Sequence, residues 1–134
     1  MTIIGLVIGI GVLIFVLTLF GSTKKEAEVF IEGDKLVIKG QYGATYDLAG
    51  ITGIELADAI PPVGRKVNGA GLGAIKKGDF VVEGLGTCRL QLHAAEGPFI
   101  HLTVGGQHVF LNFYDPARTA AKYEELRAVI QPAD

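Results

Sequence analysis

Apolar and polar positions divide this 134-residue chain into three kinds of pattern. Ile3 to Phe20 is an unbroken apolar run of eighteen residues, without a charge and with only Gly and Thr among the large side chains. As a helix it is roughly 27 Å long, close to the hydrocarbon thickness of a bilayer. From Val29 the pattern changes to alternation with period two, punctuated by Gly, Asn and Asp, which indicates successive hairpins. After Asp115, the residues Tyr123, Leu126 and Ile130 recur at helical spacing.

The alternating region can be registered at its turns. With Gly33–Asp34 as a two-residue loop, Glu32 faces Lys35, Ile31 faces Leu36, Val29 faces Ile38 and Glu28 faces Lys39. Apolar pairs then share one face and opposite charges the other. Further strands are expected at Ala44 to Leu48, Ile51 to Ala57 and Gly78 to Glu83, with Asp58 to Lys77 between the last two as the longest irregular stretch. Taking Gly105–Gly106 as a turn pairs Val104 with Gln107, Leu102 with Val109 and Ile100 with Leu111. Taking Ala94 to Pro98 as the preceding loop pairs Leu92 with Ile100, Leu90 with Leu102 and Cys88 with Val104. Both registers place Leu90, Leu92, Ile100, Leu102, Val109 and Leu111 on one face and point Cys88 inward.

Asp115 is a good N-cap, Pro116 suits the first helical position and Pro132 marks the helix end. One terminal helix after seven or eight antiparallel strands predicts a mainly β domain, a curled sheet or partly open antiparallel barrel capped by the helix. The apolar run is expected to be a retained single transmembrane helix rather than a cleaved signal peptide. It is long for a signal core, no basic side chain precedes it, and no clean Ala-x-Ala site follows. Residues 1–23 are therefore expected to form the helix and the start of a linker, and residues 24–134 the barrel domain. Lys24 and Lys25 on the C-terminal flank place that domain in the cytoplasm, giving a single-pass protein of the cell membrane. Gly5 and Gly9 form a Gly-x-x-x-Gly spacing that suits helix pairing.

Composition narrows the partners. Hydrophobic residues are 49% of the chain and the formal net charge is −2, so no global field recruits nucleic acid. A single cysteine, Cys88, excludes an intrachain disulfide and any multi-cysteine metal site. No nucleophile stands beside a base, and no cofactor motif appears: the Gly71-x-Gly73 spacing lacks the following helix of a dinucleotide site, and no Gly-Lys-Ser/Thr follows it. The expectation is a non-enzyme without cofactor or metal.

Three surfaces are candidates for binding. Arg65, Lys66, Lys76 and Lys77 gather around the glycine-rich stretch 61–78, where backbone amides and cations can hold a phosphate or an anionic lipid headgroup. His93, His101 and His108 are expected to step diagonally across the outer face of three strands, as surface histidines without a metal. On that face Phe99, His101 and Phe110 form a candidate patch for a protein partner.

A further indication comes from spaced motifs. The run Asn68-Gly69-Ala70-Gly71-Leu72-Gly73, then Lys77-Gly78-Asp79-Phe80, Pro98-Phe99-Ile100, Asn112, Asp115-Pro116 and the Thr119 to Leu126 helix resemble the bacterial pleckstrin-homology (PH-like) domain family over roughly Val29 to Ile130. The resemblance implies a strongly bent seven-stranded barrel closed by a C-terminal helix, often attached to transmembrane helices, with no catalytic residues established for the family as a whole. It departs from the phosphoinositide-binding PH domains in the first loop, where a long basic segment is replaced by the short acidic Gly33–Asp34. The functional expectation is a membrane-anchored, non-enzymatic binding or scaffolding module acting through a protein partner or self-association. The alternative is an anionic headgroup or phosphate sensor through the glycine-rich stretch.

Overall fold

In the computed structural model, which describes residues 24–130, turn chemistry sets the first and last hairpins along the chain in the expected registers. Strands β1 (Glu28–Glu32) and β2 (Lys35–Lys39) pair antiparallel with Glu32 opposite Lys35, Val29 opposite Ile38 and Glu28 opposite Lys39. Strand β3 (Ala44–Asp47) completes a three-stranded sheet in the order β1-β2-β3. Strands β8 (Phe99–Val104) and β9 (Gln107–Leu111) pair across Gly105–Gly106, with Val104 opposite Gln107 and Ile100 opposite Leu111.

The remaining strands are β4 (Ile51–Ala57), β5 (Val63–Leu72), β6 (Ile75–Val82) and β7 (Gly86–Leu92). They join β8 and β9 in a six-stranded sheet of order β4-β8-β9-β7-β6-β5. Its two edges, β4 and β5, are linked by Asp58–Pro62 alone. Extended chain of that length reaches about 20 Å, short of the roughly 24 Å spanned by five interstrand spacings. The sheet therefore bends back on itself.

Two expectations about pairing are corrected. Strand β7 does not pair with β8. It lies beside β9 in parallel, with Leu90 opposite Phe110 and Gln91 opposite Leu111, so the sheet is mixed rather than antiparallel throughout. This change moves β7's apolar residues to the other face. Ile100, Leu102, Val109 and Leu111 join Val29, Leu36 and Ile38 in a first core, whereas Cys88, Leu90 and Leu92 pack with Phe80, Val82, Phe99 and Phe110 in a second. The sheet is thus buried on both faces. Cys88 does point inward, and burial pushes its thiol up from the ordinary cysteine range.

The expected irregular stretch is largely the β5–β6 hairpin. Gly64 to Asn68 are all exposed, so β5 shows no inside–outside alternation by which a strand is read. The glycines here serve backbone approach: a Cβ on Gly69 would stand 2.3 Å from the Lys77 carbonyl oxygen, and one on Gly78 would stand 2.6 Å from the Gly69 Cα.

The helix α1 (Pro116–Val129) begins as predicted, with the Asp115 carboxylate accepting the Ala117 N–H at 2.9 Å and Pro116 in the first turn. Leu126 and Ile130 are buried in the first core and Tyr123 packs against it. The expected single-pass anchor is corrected. Among the described residues no helix is long and apolar enough to cross a membrane: α1 has 14 residues and carries five charges, Arg118, Lys122, Glu124, Glu125 and Arg127. Ile3 to Phe20, with Gly5 and Gly9, and the helix-ending Pro132 lie outside the described residues. The described fold is a mainly β domain with one C-terminal helix, and the single-pass membrane location is withdrawn.

Candidate functional site

The bent sheet offers three polar or open regions. The first is a buried seam. Alternation along β7 that sends Leu90 and Leu92 to the second core sends Arg89 and Gln91 toward the three-stranded sheet, where the β2–β3 turn meets them. Arg89 is bidentate to Asp79, at 2.9 and 3.2 Å, and donates to the Tyr42 carbonyl at 3.0 Å. Gln91 Nε2 donates to the carbonyls of Gln41 and Tyr42, both at 2.8 Å. Opposite Gln91, Lys77 is fully buried and its Nζ donates to the Lys25 carbonyl. Burial pushes its ammonium below the usual lysine range, against the pull of the Glu26 carboxylate. Glu26 in turn accepts the Tyr114 N–H at 2.6 Å and pairs with Arg118, while the Tyr114 hydroxyl donates to the Lys24 carbonyl at 2.6 Å. These contacts fasten residues 24–27 to the domain.

His93 belongs to the same seam. It is 4% exposed, lies edge-on to the Tyr114 ring at 4.8 Å, and has no hydrogen-bond partner at either ring nitrogen. Burial, with Lys77 nearby, holds its pKa down to about 4. The expectation that it shares an outer surface with His101 and His108 is corrected.

The second region is that histidine row. Glu55 on β4 and Phe110 on β9 both stand opposite His101 on β8. Glu55 Oε1 is 2.7 Å from His101 Nδ1, and His101 Nε2 is 2.8 Å from His108 Nδ1. The His101 ring stacks on Phe110, centroids 4.3 Å apart and planes 15° from parallel. A cavity of about 240 Å³ adjoins it, lined by Gly53, Glu55, His101 and Thr103. The sequence reading finds the two histidines and misses the carboxylate, because Glu55 reaches His101 only through a strand pairing 46 residues apart. Among the described residues no group of three or more His, Cys, Asp or Glu side chains is arranged to hold a metal ion.

The third region is a groove where the second core meets solvent. Two adjoining cavities, about 290 and 300 Å³, share Ile60, Ala95 and Phe99. Pro61, Pro62 and Leu92 extend the apolar lining, Lys76 stands in one cavity, and Asp58 and Glu96 stand in the other. Its two loops touch closely: a Cβ on Gly97 would stand 2.2 Å from the Asp58 carbonyl oxygen. Asn112 holds the second loop. Its Oδ1 accepts from the N–H groups of His93 and Ala94 at 2.8 and 3.2 Å, and its Nδ2 donates to the carbonyls of Ala94 and Glu96 at 3.0 and 3.4 Å.

The candidate binding residues fare differently. Phe99 and Phe110 are each 2% exposed, so they form core and not a surface patch; the bend and the cover from Ile60 and Val63 account for this. His101 is half-buried between Glu55 and Phe110. Arg65 and Lys66 are exposed on β5, and Lys76 donates to the Gly73 carbonyl at 3.0 Å. Lys76 pairs opposite Gly71, five residues along β5 from Lys66 and hence about 16 Å away along the strand, and Lys77 faces the opposite side of the sheet. The four cations do not converge on one anion. The chain matches no protein-family model, no curated protein and no solved structure.

Proposed function

We propose that this chain is a non-enzymatic binding module whose recognition surface is the groove between residues 58–63 and 94–99, and whose ligand is an extended segment of another protein. The observation that carries this reading is the pair of adjoining cavities at Phe99. Binding sites are characteristically concave, mostly apolar, and edged by a few polar groups that fix orientation. Here the apolar lining comes from Ile60, Pro61, Pro62 and Leu92, and charge of opposite sign stands at the two ends, Lys76 against Asp58 and Glu96. An apolar peptide with an acidic residue at one end and a basic residue at the other complements both features. Kinship with bacterial PH-like domains belongs to the same proposal. It is supported by the spaced motifs and by the terminal helix packed on the first core, while the parallel β7–β9 pair departs from the implied barrel. Sensing of an anionic headgroup has less support, since Lys77 is turned away from Arg65, Lys66 and Lys76.

The test is a peptide-display selection on the full chain. Enriched sequences are expected to have an apolar centre with acidic and basic flanks. Ala95, which is exposed on the groove, is changed to Arg to fill it; affinity for the enriched peptides should fall at least tenfold with unchanged thermal unfolding. Peptides of no common pattern, or binding indifferent to Ala95→Arg, would overturn the groove as the recognition surface.

A further inference from the structure

We propose that His108 is a modification site: its Nε2 accepts a phosphoryl group from a small donor of the phosphoramidate class, with His101 and Glu55 as the residues that position it. The site is separate from the groove and stands without it. Its basis is a one-directional chain of hydrogen bonds across β4, β8 and β9. Glu55 Oε1 lies 2.7 Å from His101 Nδ1, and His101 Nε2 lies 2.8 Å from His108 Nδ1. An ionised carboxylate only accepts, so His101 Nδ1 carries the proton of the first bond. A neutral imidazole with its proton there accepts at Nε2, so His108 Nδ1 carries the proton of the second. The lone pair of His108 is thereby placed on Nε2. Among the described residues that nitrogen has no hydrogen-bond partner, and, unlike the ring nitrogens of His93, it is not closed off from solvent.

A nucleophile bonded to a base, with the base oriented by a third group, is the arrangement that activates a weak nucleophile. Here His108 is the nucleophile, His101 the base and Glu55 the orienting carboxylate. The rings are held in place. His101 stacks on Phe110, with centroids 4.3 Å apart, Phe110 is fixed in the second core, and the His108 ring centroid lies 5.0 Å from that of His101. The step balances without a further reactant. Nε2 attacks phosphorus, the N–P bond of the donor breaks, and ammonia leaves with the bonding pair. As positive charge develops on the His108 ring, its Nδ1 proton passes to His101 Nε2, and the imidazolium so formed is stabilised by Glu55. Phosphoryl transfer is the chemistry that a positioned imidazole suits, because it rests on placing nucleophile and charge and asks little covalent work of the protein. His93, which is buried, takes no part.

The experiment incubates the full chain with potassium phosphoramidate and follows it by phosphorus NMR, which separates the two phosphohistidine isomers, and by mass spectrometry of its peptides. The expected result is one phosphoryl group, on Nε2 of His108, formed at least about tenfold faster than on N-acetylhistidine, in keeping with the contribution of a positioned base. His108→Gln should abolish it. His101→Ala should slow modification of His108 about tenfold and let the Nδ1 isomer appear, since nothing then directs the His108 proton; a merely structural loss would not change the isomer. Glu55→Gln should slow the reaction about tenfold while keeping the Nε2 isomer. Glu55 is exposed, so that variant tests the chain even if His101→Ala folds poorly. A rate at His108 no faster than on N-acetylhistidine overturns the site, Nδ1 modification in the unaltered chain overturns the direction of the hydrogen bonds, and an unchanged rate in Glu55→Gln overturns the positioning role of the carboxylate.

Discussion

The two faces of the six-stranded sheet are sealed in different ways. Toward the first core, the face is covered by a second sheet and by α1, and its buried polar side chains bond to the backbone of residues 41–42 and 25 from Arg89, Gln91 and Lys77. Toward the second core, the cover is Ile60, Val63 and Leu85, with cavities on either side of Phe99. A face closed by regular elements is rigid because each covering residue is held by its own strand or helix. A face closed by two loop residues, Ile60 and Leu85, and by Val63 at the end of an edge strand can give way. That difference is why recognition is assigned to the second face and the attachment of residues 24–27 to the first.

The sharpest way to break the comparison is to cut equal cavities on both sides. Leu102 and Leu90 are both fully buried, one in each core. Leu102→Ala should cost about 4 kcal/mol and Leu90→Ala about 2 to 3, the spread reflecting how far each site collapses. Urea unfolding with an unchanged m-value measures both. Equal costs would mean that the loops hold as firmly as the helix.

The seam should also make stability depend on pH. An unfolded histidine takes up a proton near pH 6.5, whereas folded His93 resists until about pH 4. Between these values the unfolded chain binds more protons, so stability is full above pH 6.5 and falls as pH drops toward 4, by about 3 kcal/mol in all. Carboxylates contribute at the acid end. The measurement is therefore the difference in unfolding free energy between the unaltered chain and His93→Gln across this window, and no difference in slope would remove His93 from the seam's energetics.

A smaller effect sharpens the account of the sealed face. Asp115→Ala removes the cap of α1 and should cost about 1 kcal/mol, read as a shift in the urea midpoint. Because α1 covers only the first core, the change should leave peptide binding at the groove intact. Loss of both together would show that the two faces are not independent.

How much of this was legible in the sequence follows from what fixes each contact. The β1–β2 and β8–β9 registers and the α1 cap are set within a few residues by turns and capping groups, and the structure has them as the sequence predicts. The partner of β7 is set by which strand slides in beside it, and β9 comes between β7 and β8. A hairpin across Ala94 to Pro98 is self-consistent on sequence alone because β7 alternates, with apolar residues on one side and polar ones on the other. Only the partner decides which side meets which core. From that one pairing follow the buried Phe99 and Phe110 and the seam at Gln91 and His93. Strand β5 escaped for a different reason, having neither alternation nor β-branched density. The pairing of Glu55 with His101 depends on β4 and β8 meeting across a sequence separation of 46, and no local pattern announces it.

Four consecutive residues after β9 each hold a different part of the molecule. Asn112 pins the groove loop, Phe113 fills the first core and donates its N–H to Thr119 Oγ1 at 2.9 Å, Tyr114 grips residues 24–26, and Asp115 starts the helix. Inserting or deleting one residue in this stretch would put all four out of phase together, whereas β5, an edge strand that already absorbs two register shifts, has slack to accommodate such a change. Length variation in descendants of this chain should therefore accumulate along β5 and be absent from 112–115.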